Sequence, residues 1–379
     1  MKILFFVSSM HAGGAERVAA TLATAWAARG DTVTLAPTFT KKGQLFYRLG
    51  RSVKLVWLAD RMGWLGKTRL AGLRKLFAIR RLVKETQPDV IVSFLTNVNV
   101  MVLLAAGRMG VPIIVCERTN PAVSTSAGRR LPALRRYTYP QATIVTLQSQ
   151  DSVQAFANMV PGIRELAVIP NPLPPELLNA PRTRVAKTPT ARYRLVAMGR
   201  LVDFKRFDAL IGVFAQLAAQ YPEWDLYIWG EGPSRPQLLT VIQDAGLEAR
   251  VFLPGRTDDP WAELAAGDIF VLTSQVEGFP NVLLEAMALG LPCVTVDCPS
   301  GPREMSRDGQ DALLVPVDDQ AALQNALVQL MGDPALRDVL GRHAAASVSS
   351  RYGLPEVLAL WDALFDRAQA AVRRKEPKP

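Results

Sequence analysis

Cysteine and histidine are scarce in this chain, with Cys116, Cys293 and Cys298 the only cysteines and two histidines among 379 residues. An odd number of cysteines in mostly apolar surroundings excludes a disulfide framework, and so few histidines leave nothing to complete a zinc site. A reducing, cytoplasmic setting fits that composition. Although 49% of the residues are hydrophobic, no uninterrupted apolar run is long enough to cross a bilayer, so a soluble or peripheral protein is expected. A signal peptide is also not expected. MKILFFVSSM carries a lysine and an apolar stretch, but the stretch is short and runs into HAGGAER without a small-residue cleavage pattern, so it reads as a first strand. Acidic charge is in deficit: 34 Asp and Glu against 44 Lys and Arg give a net charge of +10. That surplus favours an anionic partner, whether phospholipid, a phosphorylated substrate or nucleic acid. No helix-turn-helix, RRM, KH or zinc-finger pattern is present, and the basic residues alternate with bulky apolar ones, so nucleic acid is not the expected partner.

What is present is a repeated alternation of short apolar runs and helix-period stretches. Strands are predicted at Lys2 to Ser8, Thr32 to Ala36, Val53 to Leu58, Asp89 to Phe94, Ile113 to Cys116 and Thr143 to Leu147. In the carboxyl half they are predicted at Tyr193 to Met198, Trp224 to Trp229, Val251 to Leu253, Ile269 to Leu272 and Cys293 to Val296. This is the pattern of doubly wound parallel α/β sheets. The length suits two domains, 1–170 and 191–350, joined by a proline-rich linker at 171–190 and followed by a helix within 351–379. Gly13 and Gly14 open the first helix, but GGAER is not G-x-G-x-x-G and no acid follows at the ribose spacing, which argues against a nicotinamide site. His11, just before that loop, reads as a surface polar residue.

The most informative stretch is EGFPNVLLE, Glu277 to Glu285, which follows an apolar strand and opens a helix. Gly278 allows backbone to approach a ligand, Pro280 stiffens the entry, Asn281 is placed to cap the helix, and the first N–H groups offer an anion site. Glu285, one turn in, leans back toward the same mouth as Glu277. Two readings fit each acid: a ligand contact for sugar hydroxyls, or an ordinary loop charge at Glu277 and a dipole-favoured helix charge at Glu285. A second stretch, RYRLVAMGRLVDFKRFDAL, places Arg200 and Lys205 just beyond a neighbouring strand, the charge a diphosphate requires.

Arg200 and Lys205 after one strand, with Glu277 and Glu285 eight residues apart after another, together resemble the retaining family-4 glycosyltransferases of GT-B fold. GGAER and GPREMSRDGQDALLVP extend the likeness to nearly the whole chain. The resemblance implies two Rossmann-like doubly wound domains facing across a cleft: an acceptor-binding amino domain, a nucleotide-sugar-binding carboxyl domain, and a last helix returning to the first. It implies that Arg200 and Lys205 hold the donor's diphosphate, that Glu285 takes the nucleotide ribose, and that Glu277 meets the donor sugar. Gly13, Gly14, Gly278, Phe279, Pro280 and Asn281 are then donor-binding positions. The donor is a UDP-sugar, no metal or other cofactor is required, and no Asp-x-Asp motif stands at a strand end. GEGP at Gly230 to Pro233, Arg256, and Gly301, Pro302 and Arg303 fall near family donor segments.

One departure bears on the acceptor. Many relatives carry a histidine followed by an acid where this chain has ERTNP from Glu117, a variant similar to bacterial enzymes that add hexose or N-acetylhexosamine units during polysaccharide or lipid-linked oligosaccharide assembly. Glu117 is then a candidate catalytic residue and Arg118 an acceptor contact, or both simply pair with neighbours. The implied acceptor is a polyprenyl-diphosphate glycan. Two basic stretches support a membrane partner: WLGKTRLAGLRKLFAIRRLVKETQ, with Arg74, Lys75, Arg80 and Arg81 near Trp64, and GRRLPALRRYTYP, with Arg129, Arg130, Arg135 and Arg136. The first also fits a crossover helix with a solvated basic back. The expected location is cytoplasmic, peripheral at the inner face of the plasma membrane. A sugar-nucleotide epimerase of the same fold and a non-catalytic, membrane-docked glycan-binding protein are the alternatives.

Overall fold

Short continuous runs such as VIVSF and IFVL carry no polar face, so they are satisfied only as strands covered on both sides. A computed structural model describes residues 1–11, 13–39, 45–62, 71–118, 131–179 and 192–373 of the chain. They divide into two units: Met1–Pro172 together with the residues from Val357 onward, and Leu173–Glu356.

The first unit holds seven parallel strands, β1 (Lys2–Val7), β2 (Thr32–Pro37), β3 (Lys54–Leu55), β4 (Val90–Phe94), β5 (Ile113–Cys116), β6 (Ile144–Leu147) and β7 (Leu166–Val168). Their order is β3-β2-β1-β4-β5-β6-β7. Helices α1 (Gly14–Ala28), α2 (Ala71–Thr86), α3 (Thr96–Ala106), α4 (Leu131–Thr138) and α5 (Ser152–Met159) connect them. Val98, Val102 and Leu103 of α3 pack with Ile79 and Leu82 of α2 on one face of the sheet. On β1, Phe5 meets Phe94 edge-on at 4.7 Å and also lies beside Trp26 of α1.

The second unit begins with α6 (Pro175–Asn179) and has six parallel strands, β8 (Tyr193–Met198), β9 (Trp224–Trp229), β10 (Val251–Gly255), β11 (Ile269–Leu272), β12 (Cys293–Val296) and β13 (Leu313–Val315). Their order is β10-β9-β8-β11-β12-β13. Its helices are α7 (Phe207–Leu217), α8 (Arg235–Asp244), α9 (Pro260–Ala265), α10 (Asn281–Ala288), α11 (Pro302–Met305), α12 (Gln320–Gly332) and α13 (Pro334–Tyr352), while α14 (Leu354–Arg373) belongs from Val357 onward to the first unit. In each sheet the chain changes direction once, between β1 and β4 and between β8 and β11. Loops diverge at the carboxyl ends of those strand pairs, where α/β sheets form their sites.

The sequence reading needs four adjustments. The third strand is two residues long, because Leu58–Met62 turns into a 3-10 helix. β7 and β13 are strands that the reading does not contain. The expected carboxyl-terminal helix is α14, which starts at Leu354; Arg351 and Tyr352 end the separate α13, and Gly353 divides the two. Within the expected linker, Pro175–Asn179 is helical, while 180–191 lie outside the described residues.

Candidate active site

The loop after β8 and the loop after β11 are stitched together by backbone. Gln275 N donates to Phe204 O at 2.8 Å and Thr273 Oγ1 donates to Lys205 O at 2.8 Å. A 3-10 turn over Asp203–Lys205 ends in Arg206, held left-handed at φ 54°. The turn points Lys205 back over Gly199, where a side-chain carbon would lie 3.7 Å from its Nζ. From there Nζ reaches Glu277 Oε1 at 2.6 Å, and the two side chains are 14% and 10% exposed. The basic residue and the first acid of the motifs are thus one charge-assisted pair. Cys298, after β12, is buried beside them; burial first, and the Glu277 charge second, push its thiol up to about 12. It is a spacer here, not a nucleophile.

Arg200 stands apart: it is exposed, and its guanidinium makes no hydrogen bond or ion pair among the described residues. Glu285 lies on the fifth residue of α10, buried, and accepts from Trp261 Nε1 of α9 at 3.1 Å. The cap of α10 differs from expectation. Pro280 occupies the cap position without a side-chain bond, and Asn281 is the first helical residue. Leu283 N and Leu284 N both turn to Pro280 O, so proline's carbonyl starts the helix. Phe279 and Pro280 are buried while Gly278 is half-exposed. A side chain on Gly301 would meet Pro280 and Phe279, which fixes that neighbouring loop against the motif. Arg303 is tied to Asp297 and Asp308.

Glycines bring the loops together at the carboxyl end of the second sheet. A side-chain carbon on Gly230 would sit 1.8 Å from Gly199 O, and one on Gly232 2.1 Å from Leu201 O. GEGP therefore lets the β8 and β9 loops touch backbone to backbone.

In the first unit, Gly13 precedes α1 and donates its N–H to Tyr47 Oη at 3.2 Å, with Gly14 exposed beside it. Glu16 folds back over Gly13 and accepts from Ser8 Oγ at 3.3 Å and Ser9 Oγ at 2.8 Å, so its carboxylate braces the glycine turn. His11 is exposed. Glu117 is buried at the end of β5. It accepts from Tyr139 Oη and from Thr96 Oγ1 at 2.7 Å, and Asn99 Nδ2 supports Tyr139 Oη at 3.0 Å. Burial raises its proton affinity, and these donors oppose the rise only in part. Arg118 is also buried, over the Phe94 ring, with Nη1 on Asn171 Oδ1 at 2.5 Å.

The basic stretches resolve into different roles. On α2, Leu73, Phe77, Arg80, Arg81 and Lys84 are exposed while Ile79, Leu82 and Val83 face the core. Arg74 is half-buried and Lys75 lies over Phe39 at 3.7 Å. On α4, Leu134, Arg136 and Tyr137 are exposed, but Arg135 turns inward over Phe156. Trp64, Lys67, Arg69, Thr119, Asn120, Pro121, Arg129 and Arg130 lie outside the described residues.

Several partners were not visible in sequence: Trp261 on Glu285, Tyr139 and Thr96 on Glu117, Glu16 on the two serines. Each joins residues from separate elements and leaves no local pattern; only Glu16, in the first turn of a glycine-opened helix, carries a signal that could have marked it. Among the described residues, no three His, Cys, Asp or Glu side chains gather as metal ligands.

Both units resemble known proteins. Residues 13–172 match the "Glycosyl transferase 4-like domain" and residues 192–333 match "Glycosyl transferases group 1". An exopolysaccharide phosphotransferase of Streptomyces coelicolor is 30% identical across the whole of this chain, which spans 42% of that protein's length. An α-1,4-N-acetylgalactosaminyltransferase of Campylobacter jejuni, named for its action on a GalNAc-containing glycan on undecaprenyl diphosphate, is 26% identical over 91% of this chain and 92% of its own. Among solved structures, HepE of Anabaena in complex with UDP superposes with a TM-score of 0.75 at 21% identity, covering 97% of this chain and 100% of HepE. With each half matched by its own model and both sheets built as in those relatives, the chain belongs to the family-4 glycosyltransferases of GT-B fold.

Proposed function

We propose that this glycosyltransferase moves a hexose or N-acetylhexosamine from a UDP-sugar to a polyprenyl-diphosphate-linked glycan in bacterial surface polysaccharide or glycan assembly, with retention at the anomeric carbon. The observation that carries the reading is the Lys205–Glu277 pair, held at 2.6 Å, with Arg200 exposed on the same loop after β8 and Glu285 one turn along α10. Lys205 has two further N–H donors for a diphosphate while Glu277 fixes its direction, and Arg200 brings a planar fork. Glu285, steadied by Trp261, is the acceptor for paired ribose hydroxyls. Gly278 lets backbone come close to the donor.

In the reaction the C1–O bond to UDP breaks while the acceptor oxygen bonds to C1 on the same face, and the acceptor's proton passes to the departing diphosphate. Stabilising that diphosphate by Arg200 and Lys205 is the principal catalytic effect, so the reading requires no metal. Glu117, with both oxygens engaged, acts by positioning the end of β5. The named action of the Campylobacter relative supports the lipid-linked acceptor, and the UDP complex of HepE supports the donor. The exposed faces of α2 and α4, flanking α3, favour docking at the anionic inner leaflet; no helix among the described residues is long and apolar enough to span it.

The test is to incubate the protein with labelled UDP-sugars and a bacterial lipid extract and follow the label. Transfer into the organic phase, reduced at least about a hundredfold by Glu277→Ala or Lys205→Ala at unchanged secondary structure, is the expected result. Label that stays on the nucleotide but changes sugar identity would replace this reading with an epimerase.

A further inference from the structure

Arg118 is 7% exposed, yet it is an incomplete ion site. Its guanidinium lies 3.9 Å above the Phe94 ring centre, and Nη1 donates to Asn171 Oδ1. The other two nitrogens, Nε and Nη2, are buried and meet no oxygen or nitrogen acceptor among the described residues; the buried Cys116 thiol, a weak acceptor, is the group that adjoins the guanidinium. Those two are the parallel pair on one edge of the guanidinium, the edge that grips a carboxylate or phosphate with two hydrogen bonds.

No carboxylate fills that edge. Glu117 is next in sequence, but its oxygens go to Tyr139 and Thr96. Residues 119–130 contain no acid at all. Burying a cation with neither counter-ion nor full hydrogen bonding is costly, and such a group is retained where something arrives to complete it. The position is suitable: Arg118 is two residues past β5 and Asn171 three past β7, both at the carboxyl edge of the first sheet, where α/β proteins bind ligands.

We propose that the Nε–Nη2 edge of Arg118 binds a phosphate oxyanion of a substrate, forming an anion site in the first unit separate from the exposed cations of α2. The identity of the anion rests on the glycosyl-transfer reading, in which the donor and the acceptor both carry a diphosphate. Phe94 stacks the fork's face and Asn171 holds its far nitrogen, so the edge is oriented before the anion arrives.

The test compares the full chain with Arg118→Gln and Arg118→Lys, all in a Lys205→Ala background that weakens the second unit's own anion site. The first probe is inorganic pyrophosphate, followed by calorimetry and thermal shift. Arg118→Gln should weaken binding at least about tenfold, and Arg118→Lys, which keeps charge but loses the fork, should fall between. UDP and a diphosphate-linked lipid acceptor, titrated in the otherwise native chain, then identify the source. A loss confined to UDP assigns the site to the donor, and a raised KM confined to the acceptor assigns it to the acceptor. Unchanged affinity for all three probes in a folded Arg118→Gln protein would overturn the proposal. So would a variant that loses stability, recovers it with lysine, and binds all three as tightly as the native arginine. The pyrophosphate titration needs no sugar transfer, so it reports on Arg118 even if the glycosyl-transfer reading fails.

Discussion

Glu117 shows how far a residue's role depends on what surrounds it. Its sequence position, just beyond a strand, gives it the look of an exposed catalytic acid; in the fold it is buried, with Tyr139 and Thr96 donating to its two oxygens. Because burial raises its proton affinity in the folded state, folding takes up a proton at any pH between its unfolded and folded values. Stability from this group is therefore fully present below the unfolded carboxyl range and falls as pH rises through the folded value. Glu117→Gln, which cannot ionise, should gain in melting temperature relative to the native chain as pH is raised from about 4 to about 8. A difference between the two proteins that stays constant across that range would show that Glu117 ionises equally in both states. Its raised affinity, its two donors and the support from Asn99 come from residues of α3 and from Tyr139, just after α4. Sequence could point to the residue but not to its state.

At the scale of elements, legibility follows length and polarity. β8, β9, β11 and β12 have the expected limits because each is a mainly apolar run closed by glycine or polar residues at its carboxyl end. β7 and β13 have three residues each, too few to show a period, and are strands only because a longer neighbour offers its edge. The α10 entry was misplaced by one residue, since asparagine is the better cap by preference but Pro280 already holds the turn. The glycine contacts were legible as glycine and not as distance. Gly230→Ala puts a carbon 1.8 Å from Gly199 O at a φ of 141°, so the β8 and β9 loops must separate. A loss of more than about 3 kcal/mol in stability is expected by denaturant unfolding. Gly212→Ala, inside α7 with nothing within 4 Å of the added carbon, should instead be neutral or stabilise by up to about 1 kcal/mol. Equal effects at the two positions would mean that the loop contact is not under constraint.

For the molecule as a whole, the net charge of +10 acquires a location. Leu73 and Phe77 are 55% and 69% exposed on α2, ahead of the exposed Arg80, Arg81 and Lys84, and Tyr137 is 67% exposed on α4. Apolar insertion and charge attraction act together on such a face. The full chain should sediment with vesicles containing about 30% anionic lipid and not with neutral ones, less so as salt is raised. Arg80→Glu with Arg81→Glu should weaken binding by about tenfold or more at low salt, and Phe77→Ser should weaken it at every salt concentration. Binding that ignores both changes would place the contact elsewhere. The last helix has a consequence of another kind. The indole of Trp26 rests on Trp361 at 5.3 Å and on Phe365 at 5.4 Å, and Arg29 reaches Asp362 at 2.7 Å, so one wall of the first unit is supplied by residues made more than three hundred positions later. On the ribosome, the half that is synthesised first must therefore wait with Trp26 uncovered until α14 has emerged, while Leu173–Glu356 is contiguous and can close as soon as it is free of the tunnel.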